Sequence, residues 1–297
     1  MFLRLKKIKI MKGIILAGGL GSRLYPLTQT TSKQLLPVYD KPMIYYPLSI
    51  LMLAGIRNIA LITSKDYIKD YKKLLGTGNQ LGISIKYLIQ KKPNGLPEAF
   101  KIAEKFIKNE SVCLILGDNI FYGAEFVSKH IIPNLNKENN NTIFTYHVAN
   151  PSEFGVIELD QNDKVLSITE KPKKPKSNLA ITGLYIFDKN VSNYSKLLKK
   201  SKRGETEIID LIKMYHKKNN LHVEKISRGI AWLDTGTHQN LVDASEFIKT
   251  IEKRQGLKIG CVEEIALSNK FITKKTLTKT VAKMNKSEYR DYLSKII

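Results

Sequence analysis

An unbroken apolar run, Ile14-Ile15-Leu16, stops abruptly at glycines, the pattern of a short strand buried on both faces. Helical spacing of apolar positions follows over residues 43–54, a second strand run over 59–62, and helical spacing again over 67–75. The alternation continues with a strand at 83–88, a helix at 98–107 and a strand at 112–116; Pro97 suits the first position of that helix because it has no amide hydrogen to lose there. Such alternation predicts an α/β fold built on a parallel, doubly wound sheet. Beyond residue 140 the pattern is more mixed, and the complete sheet is expected to be mixed too. Strands are expected at 142–148, 155–159, 165–169 and 181–187, with Asn162-Asp163 as a hairpin turn, and helices at 205–215 and 237–253. Short helical stretches after Gly256 predict a smaller C-terminal helical subdomain over 256–297, leaving a main domain at 11–255. Residues 1–10, in which Lys and Arg alternate with Leu and Ile, read as an extension ahead of the fold.

Composition adds bounds. A chain of 297 residues with 42% hydrophobic content can bury a substantial core. There are two cysteines; Cys113 sits inside the 112–116 run, where a thiol packs as a small hydrophobe, so no disulfide framework is expected. No stretch reaches the ~20 apolar residues of a membrane span, and residues 1–10 lack the apolar core of a signal peptide; a soluble, cytoplasmic protein is the expectation. The formal charge of +22 raises nucleic acid or an anionic membrane as partners. Yet the lysines are scattered in pairs such as Lys72-Lys73, Lys91-Lys92 and Lys199-Lys200, without zinc-finger spacing, a basic zipper or an aromatic RNA-binding signature, so neither partner is expected.

The most informative chemistry lies just after the first strand, in Leu16-Ala17-Gly18-Gly19-Leu20-Gly21-Ser22-Arg23-Leu24-Tyr25-Pro26-Leu27-Thr28, followed by Lys33-Gln34-Leu35-Leu36-Pro37-Val38. Glycines there let backbone amides surround an anion with no side chain in the way. Leu24 occupies the place of the last glycine of a dinucleotide fingerprint, and no Gly-Lys-Ser/Thr follows as a P-loop requires. Arg23 and Lys33 bracket the loop with the charge a triphosphate needs. Leu116-Gly117-Asp118-Asn119 places a carboxylate at a strand end, where open α/β sheets bind ligands, and Trp232-Leu233-Asp234-Thr235-Gly236 has the same shape. Taken singly, each Asp reads as a turn or cap residue. The five histidines show neither metal-ligand nor triad spacing.

The run from Gly18 to Val38, continued by Tyr39-Asp40-Lys41-Pro42-Met43-Ile44-Tyr45-Tyr46-Pro47-Leu48 and by Arg254-Gln255-Gly256-Leu257-Lys258, resembles the sugar nucleotidylyltransferases, and among them the glucose-1-phosphate thymidylyltransferases. The resemblance covers nearly the whole chain from Met11. It implies a Rossmann-like nucleotidyltransferase fold and an enzyme that joins dTTP to glucose 1-phosphate, giving dTDP-glucose and pyrophosphate, as a first step of dTDP-rhamnose or other deoxysugar supply. It implies Arg23, Lys33 and Lys171 as catalytic residues; Leu16, Gly18, Gly19, Gly21, Ser22, Arg23, Gln90 and Gly95 as nucleotide-binding; and Asp118, Gly155, Glu170, Lys171, Thr182, Tyr185 and Arg203 as sugar-phosphate-binding. Asp118 and Asp234 would hold Mg²⁺. Relatives are tetramers with a second, product-binding site, whose region here contains Lys258 and Glu264; Ser268 stands where an arginine is common. Pro97-Glu98 replaces the usual Ala-Gln, and Phe154 stands where a Tyr usually precedes Gly155. Two rival expectations remain: the same chemistry with UTP or another sugar phosphate, which a nucleotide panel would separate, and a catalytically silent sugar-nucleotide sensor, against which the retained Arg23, Lys33, Asp118 and Asp234 argue.

Overall fold

The computed structural model describes residues 11–137 and 141–297; the extension expected at 1–10 lies outside them. In chain order the first half holds β1 (Lys12–Ala17), the two-residue strands β2 (Pro37–Val38) and β3 (Lys41–Pro42), α1 (Tyr45–Leu53), β4 (Asn58–Thr63), α2 (Ile68–Leu75), β5 (Ser84–Ile89), α3 (Glu98–Ile102), α4 (Glu104–Ile107), β6 (Val112–Leu116), β7 (Asn119–Tyr122) and α5 (Ile132–Leu135). The second half holds β8 (Thr142–His147), β9 (Gly155–Leu159), β10 (Val165–Glu170), β11 (Leu179–Phe187), α6 (Val191–Leu197), α7 (Ile208–Lys217), β12 (His222–Lys225), β13 (Ala231–Asp234), α8 (His238–Gln255), α9 (Val262–Ser268), α10 (Lys274–Val281) and α11 (Glu288–Ile296).

The expected parallel core is present: β1 pairs in parallel with both β4 and β6, and β4 with β5. Antiparallel β11 joins β6 and carries the sheet on to β8, β9 and β10, making it mixed. Alternate side chains enter opposite faces of a strand, so Ile14 and Leu114 join one buried cluster with Phe100, Phe187 and Tyr215, while Ile15 and Ile115 join the other with Leu48 and Leu51. Burial on both faces is why these strands read as continuous apolar runs. The cluster on the Ile15 side also takes in Val262, Ile265, Leu277 and Leu293, so α9, α10 and α11 share the core of α1. Gly256 ends α8 in the left-handed region at φ 69.

Several elements depart from the expected bounds. The helix foreseen at 98–107 is two pieces, interrupted at Ala103, where ψ is 4. The helix foreseen from 205 begins only at Ile208, because the amide and hydroxyl of Thr206 both donate to the Asn94 carbonyl, at 2.9 Å each. Asn162-Asp163 does turn the β9–β10 hairpin, with Asp163 at φ 62. The short ribbon of β7 and β13 was not apparent from periodicity, and it positions the site.

Candidate active site

The loop after β1 is held open from below. Gly21 sits at φ 63, where a Cβ would come within 2.8 Å of Thr28 Cγ2, and Thr28 Oγ1 donates to the Gly21 carbonyl at 2.9 Å. Leu24, wholly buried, anchors the short helical turn that carries Ser22 and Arg23. Leu20, Tyr25 and Leu27 remain exposed on the loop. Lys33 lies beneath, its Cβ 3.1 Å from the position of a Cβ on Gly21.

Asp118 follows β6, as expected, but Asp234 does not end a strand of the large sheet. It closes β13, which pairs antiparallel with β7 so that Asp234 stands opposite Asn119, next in chain to Asp118. Asn119 is buried, and its Oδ1 accepts from Trp232 Nε1 at 2.7 Å and Gly183 N at 3.0 Å, while its Nδ2 donates to Asp118 Oδ1 at 3.1 Å. Thr235 Oγ1 donates to the Asp118 carbonyl at 2.9 Å. This pinning brings together two carboxylates 116 positions apart in the chain.

Their electrostatics diverge. Lys33 Nζ sits 2.5 Å from Asp118 Oδ2. Burial opposes ionisation of Asp118, but the charge and hydrogen bond of Lys33, with the bond from Asn119, more than offset it and hold the carboxyl below the ordinary range. Asp234 has no ion pair within 4 Å among the described residues; burial and the charge of Asp118 push it up to about 6, against the smaller pull of Lys33 and Arg23. The Arg23 guanidinium is near enough to crowd Gly236, with Nη2 3.1 Å from where a Cβ there would lie. Arg23, Lys33, Asp118 and Asp234 thus share one site beside the glycine loop.

Gln90, directly after β5, completes the loop side. Its Oε1 lies 2.1 Å from where a Cβ on Gly18 would be, so any side chain there would push the Gln90 amide from this position. Gly95, at φ 101, is similarly hemmed in: the Thr206 carbonyl oxygen lies 2.0 Å from where a Cβ would project. On the other flank, β9 and β10 set Gly155 opposite Glu170. Arg203 Nη1 lies 3.4 Å from Glu170 Oε1; burial and the charge of Glu207 raise Glu170 above its ordinary pKa, against Lys171 and Arg203. Lys171 is exposed, at φ 40. Thr182 is buried with its hydroxyl donating to the Phe144 carbonyl at 3.0 Å, and Tyr185 is buried against Phe187, with burial and then Glu170 raising its phenol.

Two features escaped the reading of the sequence. Glu98, noted only as a departure, contacts Gln90. The second is a partly buried knot of charge: Lys41 Nζ is 2.9 Å from Glu252 Oε1, Lys258 Nζ is 3.3 Å from Glu252 Oε2, both lysines pair with Asp40, and Ile259 N donates to Glu252 at 2.8 Å. The Asp40-Lys41-Pro42 run, which leaves the turn and enters β3, was the available signal. The knot ties that hairpin to the end of α8, beside a cavity of about 280 Å³ that Lys258 and Glu264 both line.

A family model described as "Nucleotidyl transferase" matches residues 12–251. The glucose-1-phosphate thymidylyltransferase of Neisseria meningitidis serogroup A is 50% identical over 287 residues, covering 97% of this chain and 99% of that protein. The enzyme of the same name from Mycobacterium tuberculosis is 48% identical, with the same coverage of both chains. Among solved structures, a UDP-glucose pyrophosphorylase complexed with UDP-glucose aligns with a TM-score of 0.73 at 25% identity, over 82% of this chain and 100% of that one. A Bacillus anthracis protein crystallised with sucrose, provisionally designated a glucose-1-phosphate thymidylyltransferase, aligns with a TM-score of 0.74 at 40% identity, over 80% and 94%.

Proposed function

The chain belongs to the nucleotidyl transferase family, and we propose that it transfers a thymidylyl group from dTTP to glucose 1-phosphate, releasing pyrophosphate and giving dTDP-glucose. The observation that carries this reading is the convergence of Arg23, Lys33, Asp118 and Asp234 on the glycine loop, with one carboxylate and one guanidinium left without an ion-pair partner among the described residues. Relatives about half identical along nearly their whole length bear the name of that activity.

The nucleophile is an oxygen of the sugar's own phosphate. Its second pKa lies near 6, so it is already an anion at neutral pH and needs no general base. Attack in line on the α-phosphorus expels pyrophosphate, and the work of the protein is positioning and charge stabilisation. Arg23 and the amides of Gly18, Gly19 and Gly21 receive the charge of the departing pyrophosphate. Lys33, held at Asp118 in the free chain, and Lys171, exposed beside Glu170, meet the reacting phosphates. Glu170 offers the sugar hydroxyls an acceptor, and Gln90 with the Gly95 backbone meets the base.

Asp118 and Asp234 fit a hard divalent cation: both are oxygen donors, and the raised pKa of Asp234 registers burial and then the charge of Asp118, which a bound cation would offset. Mg²⁺ bound there would neutralise charge on the α-phosphate. The proposed homotetramer, cytoplasmic location and supply of a deoxysugar route rest on the resemblance, and light scattering tests the first. The decisive experiment measures pyrophosphate released from dTTP with and without glucose 1-phosphate and Mg²⁺. Release that depends on both, with the sugar recovered as dTDP-glucose, is expected; cleavage of dTTP without the sugar becoming attached would overturn the reading.

A further inference from the structure

Resting on that reaction, we propose that Glu98 is a positioning residue for base selection: it locks the side-chain amide of Gln90 with its acceptor toward the base, so that thymine and uracil are accepted and cytosine is refused. Gln90 is 5% exposed, and its Nε2 donates to Glu98 Oε2 at 2.7 Å. The other carboxylate oxygen accepts from Asn94 Nδ2 at 2.8 Å, and the Asn94 backbone amide reaches Glu98 Oε2 at 3.3 Å.

An ionised carboxylate has only lone pairs to offer, so the NH₂ end of Gln90 must face it. The carbonyl end is thereby turned to the opposite side, against Gly18 in the phosphate loop. There Oε1 receives no hydrogen bond from any described residue, and it is not sealed from solvent. A free acceptor is therefore presented beside the loop that would hold the triphosphate. The edges of the pyrimidines differ at this point. Thymine and uracil carry a ring N–H between two carbonyls, whereas cytosine carries a bare ring nitrogen beside an amino group. A fixed carbonyl pairs with the N–H and meets cytosine lone pair to lone pair, which costs the unpaired groups their lost solvation. A glutamine with a neutral neighbour can reverse its amide and suit either edge. The same knot secures the second base contact, because the Asn94 carbonyl accepts from both the amide and the hydroxyl of Thr206, and Thr206 in turn confines Gly95.

The test compares kcat/KM for dTTP and dCTP, each with glucose 1-phosphate, in the wild type, Glu98→Gln and Glu98→Ala. In E98A the preference for dTTP over dCTP should fall by at least about tenfold, through a raised KM for dTTP and a lowered one for dCTP, with E98Q between it and the wild type. A preference unchanged within about twofold, or rates for both nucleotides falling together, would overturn the proposal, since a purely structural role moves both alike. The side-chain amide protons of Gln90 give a second readout by NMR hydrogen exchange: protected in the wild type and markedly faster in E98Q. Equal exchange in both would also overturn it, even if one variant folds poorly. A wild type that turns over no nucleotide with the sugar phosphate would sink the reaction instead, and the exchange arm would still decide on the lock.

Discussion

Two clusters of partly or wholly buried charge flank the β2–β3 hairpin, and they are finished differently. In the knot of Asp40, Lys41, Glu252 and Lys258, each carboxylate has two ammonium groups on it and each ammonium two carboxylates. In the cluster beside the glycine loop, Lys33 serves Asp118, while Asp234 and Arg23 are left without an ion pair among the described residues. Burying charge is costly unless it is matched. The first cluster is closed upon itself and holds the hairpin to α8. The second leaves a carboxylate and a guanidinium unmatched, the two groups that the proposed function gives to a cation and a phosphate, so two sets of the same residue types divide between architecture and proposed chemistry.

The sharpest way to break this contrast is Glu252→Ala, which leaves the buried Lys41 ammonium and the half-buried Lys258 ammonium sharing the one carboxylate of Asp40. Denaturant unfolding should show a loss of about 3 kcal/mol, the low end for breaking a buried pair because Asp40 still faces both lysines; a loss as small as that of an exposed ion pair would mean the knot is not structural. Next comes Asp234→Asn. Initial rates of pyrophosphate release should drop on the order of 10²- to 10³-fold, while the melting temperature at neutral pH stays level or rises, because a carboxylate held against its ionisation has been removed.

Acid titration then separates the matched from the unmatched carboxylates by sign. Glu224 is a matched case: burial raises its pKa, but hydrogen bonds from His222, Asn134 and His130 outweigh that and hold it at about 2, below the ordinary 4.5. Its contribution is present above pH 4.5 and lost as the pH falls toward 2. Asp234 runs the other way: with a folded pKa of about 6 above the unfolded 3.8, protonation favours the folded chain, and that gain is lost as the pH rises through 6. Comparing pH–stability curves, Glu224→Gln should flatten the acid limb, a change of about 2 kcal/mol, and D234N should remove the slope near pH 6. The smallest effect is kinetic. Apparent Mg²⁺ affinity in the assay should weaken up to about tenfold for each pH unit below 6, a dependence absent from D234N.

What could be read without coordinates was what is local. The glycine loop with Arg23 and Lys33 lies within 16 residues of chain, from Gly18 to Lys33, and the parallel half of the sheet announced itself through runs apolar on both faces. The meeting of Asp118 with Asp234 depends on a ribbon of two four-residue strands far apart in sequence, whose pairing no periodicity encodes. Thr182 and Tyr185 carry polar groups that the sequence could assign to the sugar, yet both side chains turn inward, one hydroxyl spent on the Phe144 carbonyl. The late start of α7 was hidden for a related reason: Thr206 has helical neighbours but a tertiary commitment to Asn94 that propensity does not contain. Glu98 was visible as a substitution, but its meaning needed the position of the Gln90 amide.

The absent side chain at Gly18 carries a lesson for anyone breeding variants of this protein toward unusual nucleotides. A single methyl there would meet the Gln90 side chain and displace its carbonyl, so the loop's bare backbone and the setting of that amide are inherited as one and cannot be relaxed separately at that codon. Libraries aimed at a new base, on the proposed reading, therefore gain little by diversifying residue 18; their scope lies at Glu98 and Asn94, which hold the Gln90 amide from the side away from Gly18.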